Sequence, residues 1–123
     1  MDLQKTKTIF LVEDDLSIRE SLADILSDQG YAILTAANGR DAMEALSRAA
    51  SLPDLILLDI MMPVMDGYEF RKMQLVDARL ANIPTVALSA DGHLVEKSAK
   101  LKVTHYLNKP VDLEQLLQVV SGC

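Results

Sequence analysis

At 123 residues, half of them hydrophobic and 24% charged, the chain has the size and apolar content of one compact domain. A net charge of −6 and the absence of tryptophan argue against nucleic-acid binding through the bulk of the surface. The single cysteine, Cys123, rules out an internal disulfide, and no apolar run is long enough to cross a bilayer. The opening MDLQKTKT lacks the apolar stretch of a signal peptide, so a cytoplasmic protein is expected. Glycines at 30, 39, 67, 92 and 122 cannot form GxGxxG or a GxxxxGK[ST] phosphate loop.

Five short apolar runs alternate with helical patterns. Thr8 to Val12 is apolar nearly throughout, as in a strand covered on both faces. A helix follows from about Asp15, its N-cap, with Ile18, Leu22, Ile25 and Leu26 on one face and Gly30 at its end. Tyr31 to Ala36 reads as the second strand, Asn38-Gly39 as a turn, and Arg40 to Ala50 as an alanine-rich helix ending before Pro53. Leu55 to Asp59 is the third strand, apolar until its last residue. A third helix runs from Asp66-Gly67 to about Asp77, and Thr85 to Ser89 is the fourth strand. A fourth helix is expected from about Gly92 to Leu101, then a strand from Thr104 to Leu107. Leu113, Leu116, Leu117 and Val120 mark the face of a last helix. This alternation implies an α/β domain over residues 8–121 with a parallel sheet, right-handed crossovers and helices on both faces, preceded by a tail at 1–7.

Ligands of such sheets collect at the carboxyl ends of the strands. There the chain places Glu13, Asp14 and Asp15 after the first strand, Asp59 after the third, Ser89 after the fourth and Lys109 after the fifth. Singly, each has an ordinary use as a cap, turn or solvated residue. Together at one edge they point to chemistry. Two carboxylates about 4 Å apart repel by roughly 4 kcal/mol at an effective dielectric near 20. A hard divalent cation relieves that repulsion, and an all-oxygen donor set favours Mg²⁺ over zinc. An anionic phosphoryl group could then approach Asp59, with Lys109 and the metal neutralising its oxygens and Ser89 donating a hydrogen bond.

Val12-Glu13-Asp14-Asp15, the run Asp59-Ile60-Met61-Met62-Pro63-Val64-Met65-Asp66-Gly67, Leu88-Ser89-Ala90 and Lys109-Pro110 together resemble the response-regulator receiver family of two-component signalling. The resemblance spans Ile9 to the last helix. It implies a five-stranded parallel sheet of order 2-1-3-4-5, flavodoxin-like. It implies Asp59 as acceptor of a phosphoryl group from a histidine kinase or phosphotransfer protein, and Mg²⁺ on Glu13, Asp14, Asp59 and the backbone carbonyl of Met61. It further implies Ser89, Ala90 and Lys109 as phosphate contacts, a cis Lys109-Pro110 peptide, and Ser89 with Tyr106 as the switch pair. Phosphorylation would draw Ser89 inward, let Tyr106 rotate, and alter the surface of the fourth helix, fifth strand and last helix for an effector partner or a second copy. Such a domain catalyses only its own phosphorylation and dephosphorylation, and binds neither nucleic acid nor membrane directly.

The chain departs from the family's pattern at Lys102-Val103, where many members carry Gly-Ala, so a different turn is expected there. Met61 and Asp91 flank the path of attacking water in receivers, and slow self-dephosphorylation is expected from them. His93 and His105 read as solvated or partly packed, Met61, Met62 and Met65 as core and loop, and Lys97, Lys100 and Lys102 as a solvated helix face. A haloacid-dehalogenase-type phosphatase would place Asp-x-Asp after the first strand, and a flavodoxin-like FMN carrier would need hydroxyls there. A receiver that only binds partners, and a module of a hybrid kinase or multidomain regulator, stay open.

Overall fold

The structure, a computed structural model, describes residues 6–90, 101–103 and 105–122. Five strands, β1 (Thr8–Val12), β2 (Ala32–Ala36), β3 (Leu55–Asp59), β4 (Thr85–Ser89) and β5 (His105–Asn108), form one sheet. All neighbours are parallel, in the order β2-β1-β3-β4-β5. The described helices are α1 (Leu16–Asp28), α2 (Gly39–Arg48), α3 (Gly67–Val76) and α4 (Leu113–Ser121). The expected helix from Gly92 lies outside the described residues except for Leu101, as does Thr104 of the expected fifth strand.

The central strands are apolar throughout because both faces are covered. Ile9, Leu11, Leu55, Leu57, Val86 and Leu88 pack with Leu22 and Leu26 of α1 and Leu116 and Val120 of α4. On the other face Phe10, Val12, Ile56 and Leu58 meet Ala42 and Leu46 of α2 and Phe70 of α3. Alternation along each strand thus feeds two cores. Leu113, expected on the apolar face of the last helix, is instead 47% exposed. It sits in the first turn, next to the cap and at the edge of the packed layer.

Each described helix begins with a side-chain cap. Asp15, Asn38, Asp66 and Asp112 accept hydrogen bonds from the backbone N–H groups of Ile18, Asp41, Glu69 and Gln115. Asn38, read as a turn residue, is therefore the cap of α2, which starts at Gly39 rather than Arg40. Lys7, at the boundary of the expected tail, is tied in. Its ammonium donates to the Val120 carbonyl at 3.1 Å, and its own carbonyl accepts from Ala32 N–H at 3.0 Å.

Lys102 lies in the turn before β5 rather than on a helix face, with a left-handed backbone (φ 54°). A non-glycine residue there costs roughly 1–2 kcal/mol. The turn is braced by Arg71, which is buried among α3, β4 and this segment. Its guanidinium donates to the carbonyls of Leu101 (2.8 Å) and Lys102 (2.6 Å), to Gln74 Oε1 and to Thr85 Oγ1.

Candidate functional site

Strand β3 delivers Asp59 to the carboxyl edge of the sheet with 2% of its surface exposed. β1 ends one residue before Glu13, which is fully buried, and Asp14, which is exposed. The carboxylate oxygens of Glu13, Asp14 and Asp59 lie within 4.8 Å of one another. From the far side of β4, Lys109 reaches in. Its Nζ stands 2.5 Å from Glu13 Oε1 and 3.3 Å from Asp59 Oδ1. Ser89, fully buried at the end of β4, accepts the Lys109 N–H on its backbone carbonyl at 2.9 Å.

The loop after β3 is built tightly around this pocket. Met61 N–H donates to Asp59 Oδ1 at 3.3 Å. Gly67 N–H donates to the Ile60 carbonyl at 2.8 Å. A Cβ on Gly67 would meet Ile60 Cα at 2.7 Å and the Asp59 carbonyl at 2.8 Å, both backbone atoms. Between them Val64 adopts φ 69°, and Met65 N–H closes a tight turn on the Pro63 carbonyl at 2.7 Å. On the β1 side, Arg19 donates to the carbonyls of Glu13 (2.8 Å) and Asp14 (3.4 Å), and Asp15 N–H donates to Glu13 Oε2 at 3.1 Å.

Burial, then hydrogen bonds to Asp14 and Glu13, then the Glu13 charge push the Asp59 carboxyl up to about 8, against the opposing pull of Lys109. Lys109 is drawn down by its own burial, but hydrogen bonding to Glu13 and the charges of Asp59 and Glu13 outweigh this and raise it. The balance is intelligible. One ammonium neutralises one of two buried carboxylates, so the other holds a proton.

The family model of the response regulator receiver domain matches residues 9–121. The chain belongs to the response regulator receiver family. A probable transcriptional regulator, ycf29 of Porphyra purpurea, is 35% identical over 93% of this receiver and 54% of its own length. The sporulation initiation phosphotransferase F of Bacillus subtilis is 32% identical, over 92% of this chain and 90% of that protein. The chemotaxis response regulator CheY4 of Vibrio cholerae superposes with a TM-score of 0.85 at 32% identity, covering 95% of this chain and 98% of its own. The receiver spans about half the length of the first curated relatives it matches. The expected flavodoxin-like sheet of order 2-1-3-4-5 is the one found.

The receiver brings Glu13, Asp14, Asp59 and Lys109 together and sets Ser89 beside them on the next strand. Met61 turns its side chain outward, 62% exposed, and Met62 packs inward. Ala90 is exposed at the rim. Tyr106 is 39% exposed on β5, paired with Ala87 in the ladder. The Lys109–Pro110 peptide is cis. Asp91, His93, Lys97 and Lys100 lie outside the described residues, and His105 is exposed on the edge strand. Sequence reasoning missed Arg19 and Arg71, which act on backbone carbonyls and leave no charge pairing to read.

The donor set suits a hard cation. Three carboxylates converge, and Glu13 Oε1 is buried with the Lys109 ammonium as its ion-pair partner. Mg²⁺ would take Glu13, Asp14 and Asp59 and keep several waters.

Proposed function

We propose that this receiver is a phosphorylation-driven switch in which Asp59 accepts a phosphoryl group from a phosphohistidine of a sensor kinase or phosphotransfer protein. The observation carrying this reading is Asp59 itself. It is a buried carboxyl at a strand end, with two further carboxylates within 4.8 Å and an ammonium at 3.3 Å. With its proton given up to solvent, the Asp59 carboxylate attacks phosphorus through one oxygen as the N–P bond of the donor breaks, and the departing imidazole takes up a proton from solvent. Bound Mg²⁺ supplies positive charge to the phosphoryl oxygens during transfer. Lys109 holds a second phosphoryl oxygen, and the Ser89 hydroxyl and Ala90 N–H donate to the third.

Once Ser89 turns to the phosphoryl group, Tyr106 gains room to rotate inward, and the surface around β5 and α4 changes for an effector or a second copy. A population shift of this kind requires only differential contacts in the two states. The domain turns over no substrate beyond its own aspartyl phosphate. Its acidic surface favours protein partners over nucleic acid, and no described helix is long and apolar enough to cross a membrane.

Incubation with acetyl phosphate and Mg²⁺ should add the mass of one phosphoryl group at Asp59, and EDTA or Asp59→Asn should abolish it. No mass gain with metal and donor present would leave a receiver that only binds partners. The exposed Met61 offers no hydrogen bond to an in-line water, so the aspartyl phosphate should decay over minutes or longer. Decay within seconds would refute that expectation.

A further inference from the structure

Arg71 is a buried cation that the phosphoryl chemistry does not use. No described carboxylate pairs with it. Its four acceptors are two backbone carbonyls, Gln74 Oε1 and Thr85 Oγ1. Gln74 is fully buried and donates onward to the Leu80 and Ile83 carbonyls and to Thr85 Oγ1. α3, the first residue of β4 and the turn into β5 are thereby joined in one polar network. A buried guanidinium needs such saturation, because each unmet donor in an apolar surround is costly.

The turn it grips is the one that needs gripping. Lys102 holds φ 54°, which glycine adopts freely and lysine does not. The strand that follows pairs with β4 alone. β5 is four residues long, lies at the sheet edge, and buries only Leu107 of its side chains. It carries Tyr106 as its second residue and leads at its far end into Lys109, whose N–H meets the Ser89 carbonyl. Leu101 belongs to one small apolar cluster with Ala87 of β4 and Ile60, the residue after Asp59.

We infer that Arg71 is a positioning residue: by binding the Leu101 and Lys102 carbonyls it holds the left-handed turn that sets β5 against β4, and so places Lys109 and Tyr106. The placing of Lys109 for phosphoryl transfer rests on the function proposed above; the holding of β5 does not. Arg71 acts from the opposite end of the strands, about 13 Å from the acceptor edge at the usual rise per residue. It holds there a backbone conformation that glycine adopts without side-chain cost.

Amide hydrogen exchange on the full chain, without phosphodonor, tests the first half. In Arg71→Met the β5 amides and the Lys109 amide should exchange about tenfold faster or more, while the Leu11 and Leu57 amides within the inner strands keep their rates. Arg71→Lys, which retains a charge but reaches fewer acceptors, should fall between, and stands in if the methionine variant does not fold. Adding Lys102→Gly to either variant should restore much of the protection, because glycine holds the turn unaided. Unchanged β5 exchange, uniform acceleration across all strands, or no rescue by glycine would each overturn the inference. With acetyl phosphate, the loosened variants should phosphorylate about tenfold more slowly while Mg²⁺ affinity stays within about twofold. A normal rate with loosened β5, or Mg²⁺ affinity lost in parallel, would overturn the positioning role. If the wild type itself took up no phosphoryl group, the proposed function would fall, and the exchange pattern would still decide for or against the grip of Arg71 on β5.

Discussion

At Asp59 the geometry forces a choice between charge and burial. Glu13 and Lys109 already form a neutral pair, so a second ionised carboxylate at that depth would be uncompensated. Replacing Asp59 with asparagine keeps the shape and removes the titration. In metal-free buffer at pH 8, Asp59→Asn should gain on the order of 1 kcal/mol in denaturant stability while losing all phosphoryl uptake. A destabilised asparagine variant would mean that the Asp59 carboxylate is better compensated than its surroundings indicate. Lys109 competes with a metal for the same oxygens. Lys109→Met should therefore bind Mg²⁺ at least as tightly as the wild type, yet phosphorylate about 100-fold more slowly, as expected when a donor to developing charge is removed. Parallel calorimetric titration and donor kinetics separate the two effects.

Among elements, the β3–α3 connection most closely links fold to site. Gly67 lets the first turn of α3 lie against the backbone of Asp59 and Ile60, where a methyl group would come within 2.7 Å of a main-chain atom. No side chain there can yield. Gly67→Ala should cost about 1–3 kcal/mol and weaken Mg²⁺ binding, because relief must come from moving α3 or the strand end itself. Thermal denaturation with and without Mg²⁺ measures both. This requirement was half visible in the sequence. The Asp66-Gly67 pair announces a helix start, and Asp66 is indeed its cap, but the reason for glycine is the closeness of β3. The same holds at the entry to β5. Lys102-Val103 signalled a departure, and Lys102 there takes a left-handed backbone with Arg71 from a distant helix bracing it.

For the whole molecule, the raised Asp59 carboxyl ties stability to pH. The native state binds a proton that the unfolded chain has released, so stability falls as pH rises between the ordinary value of 3.8 and about 8. Lys109, raised above its ordinary value of 10.5, contributes stability that is fully present below that value and is lost only at higher pH, so it does not offset the slope. Urea midpoints of metal-free protein should decline from pH 5 to pH 8. Saturating Mg²⁺ should flatten the decline, since a cation takes the place of the proton, and metal binding at pH 7 should release protons to buffer. A flat profile without metal would show that Asp59 is ionised throughout.

Strand and helix order, the parallel sheet, and the convergence of Glu13, Asp14, Asp59, Ser89 and Lys109 on one edge were determined by local patterning and motif spacing alone, because strand ends in a parallel sheet point the same way. Other features depend on atoms far apart in the chain. Which carboxyl holds the proton follows from burial and from the reach of Lys109 across β4. That Lys102 can hold a left-handed backbone follows from Arg71, thirty-one positions earlier, finding its carbonyl. Neither charge balance in a closed pocket nor hydrogen bonding to a distant main chain leaves a periodic trace in sequence, so only the packed structure could decide them.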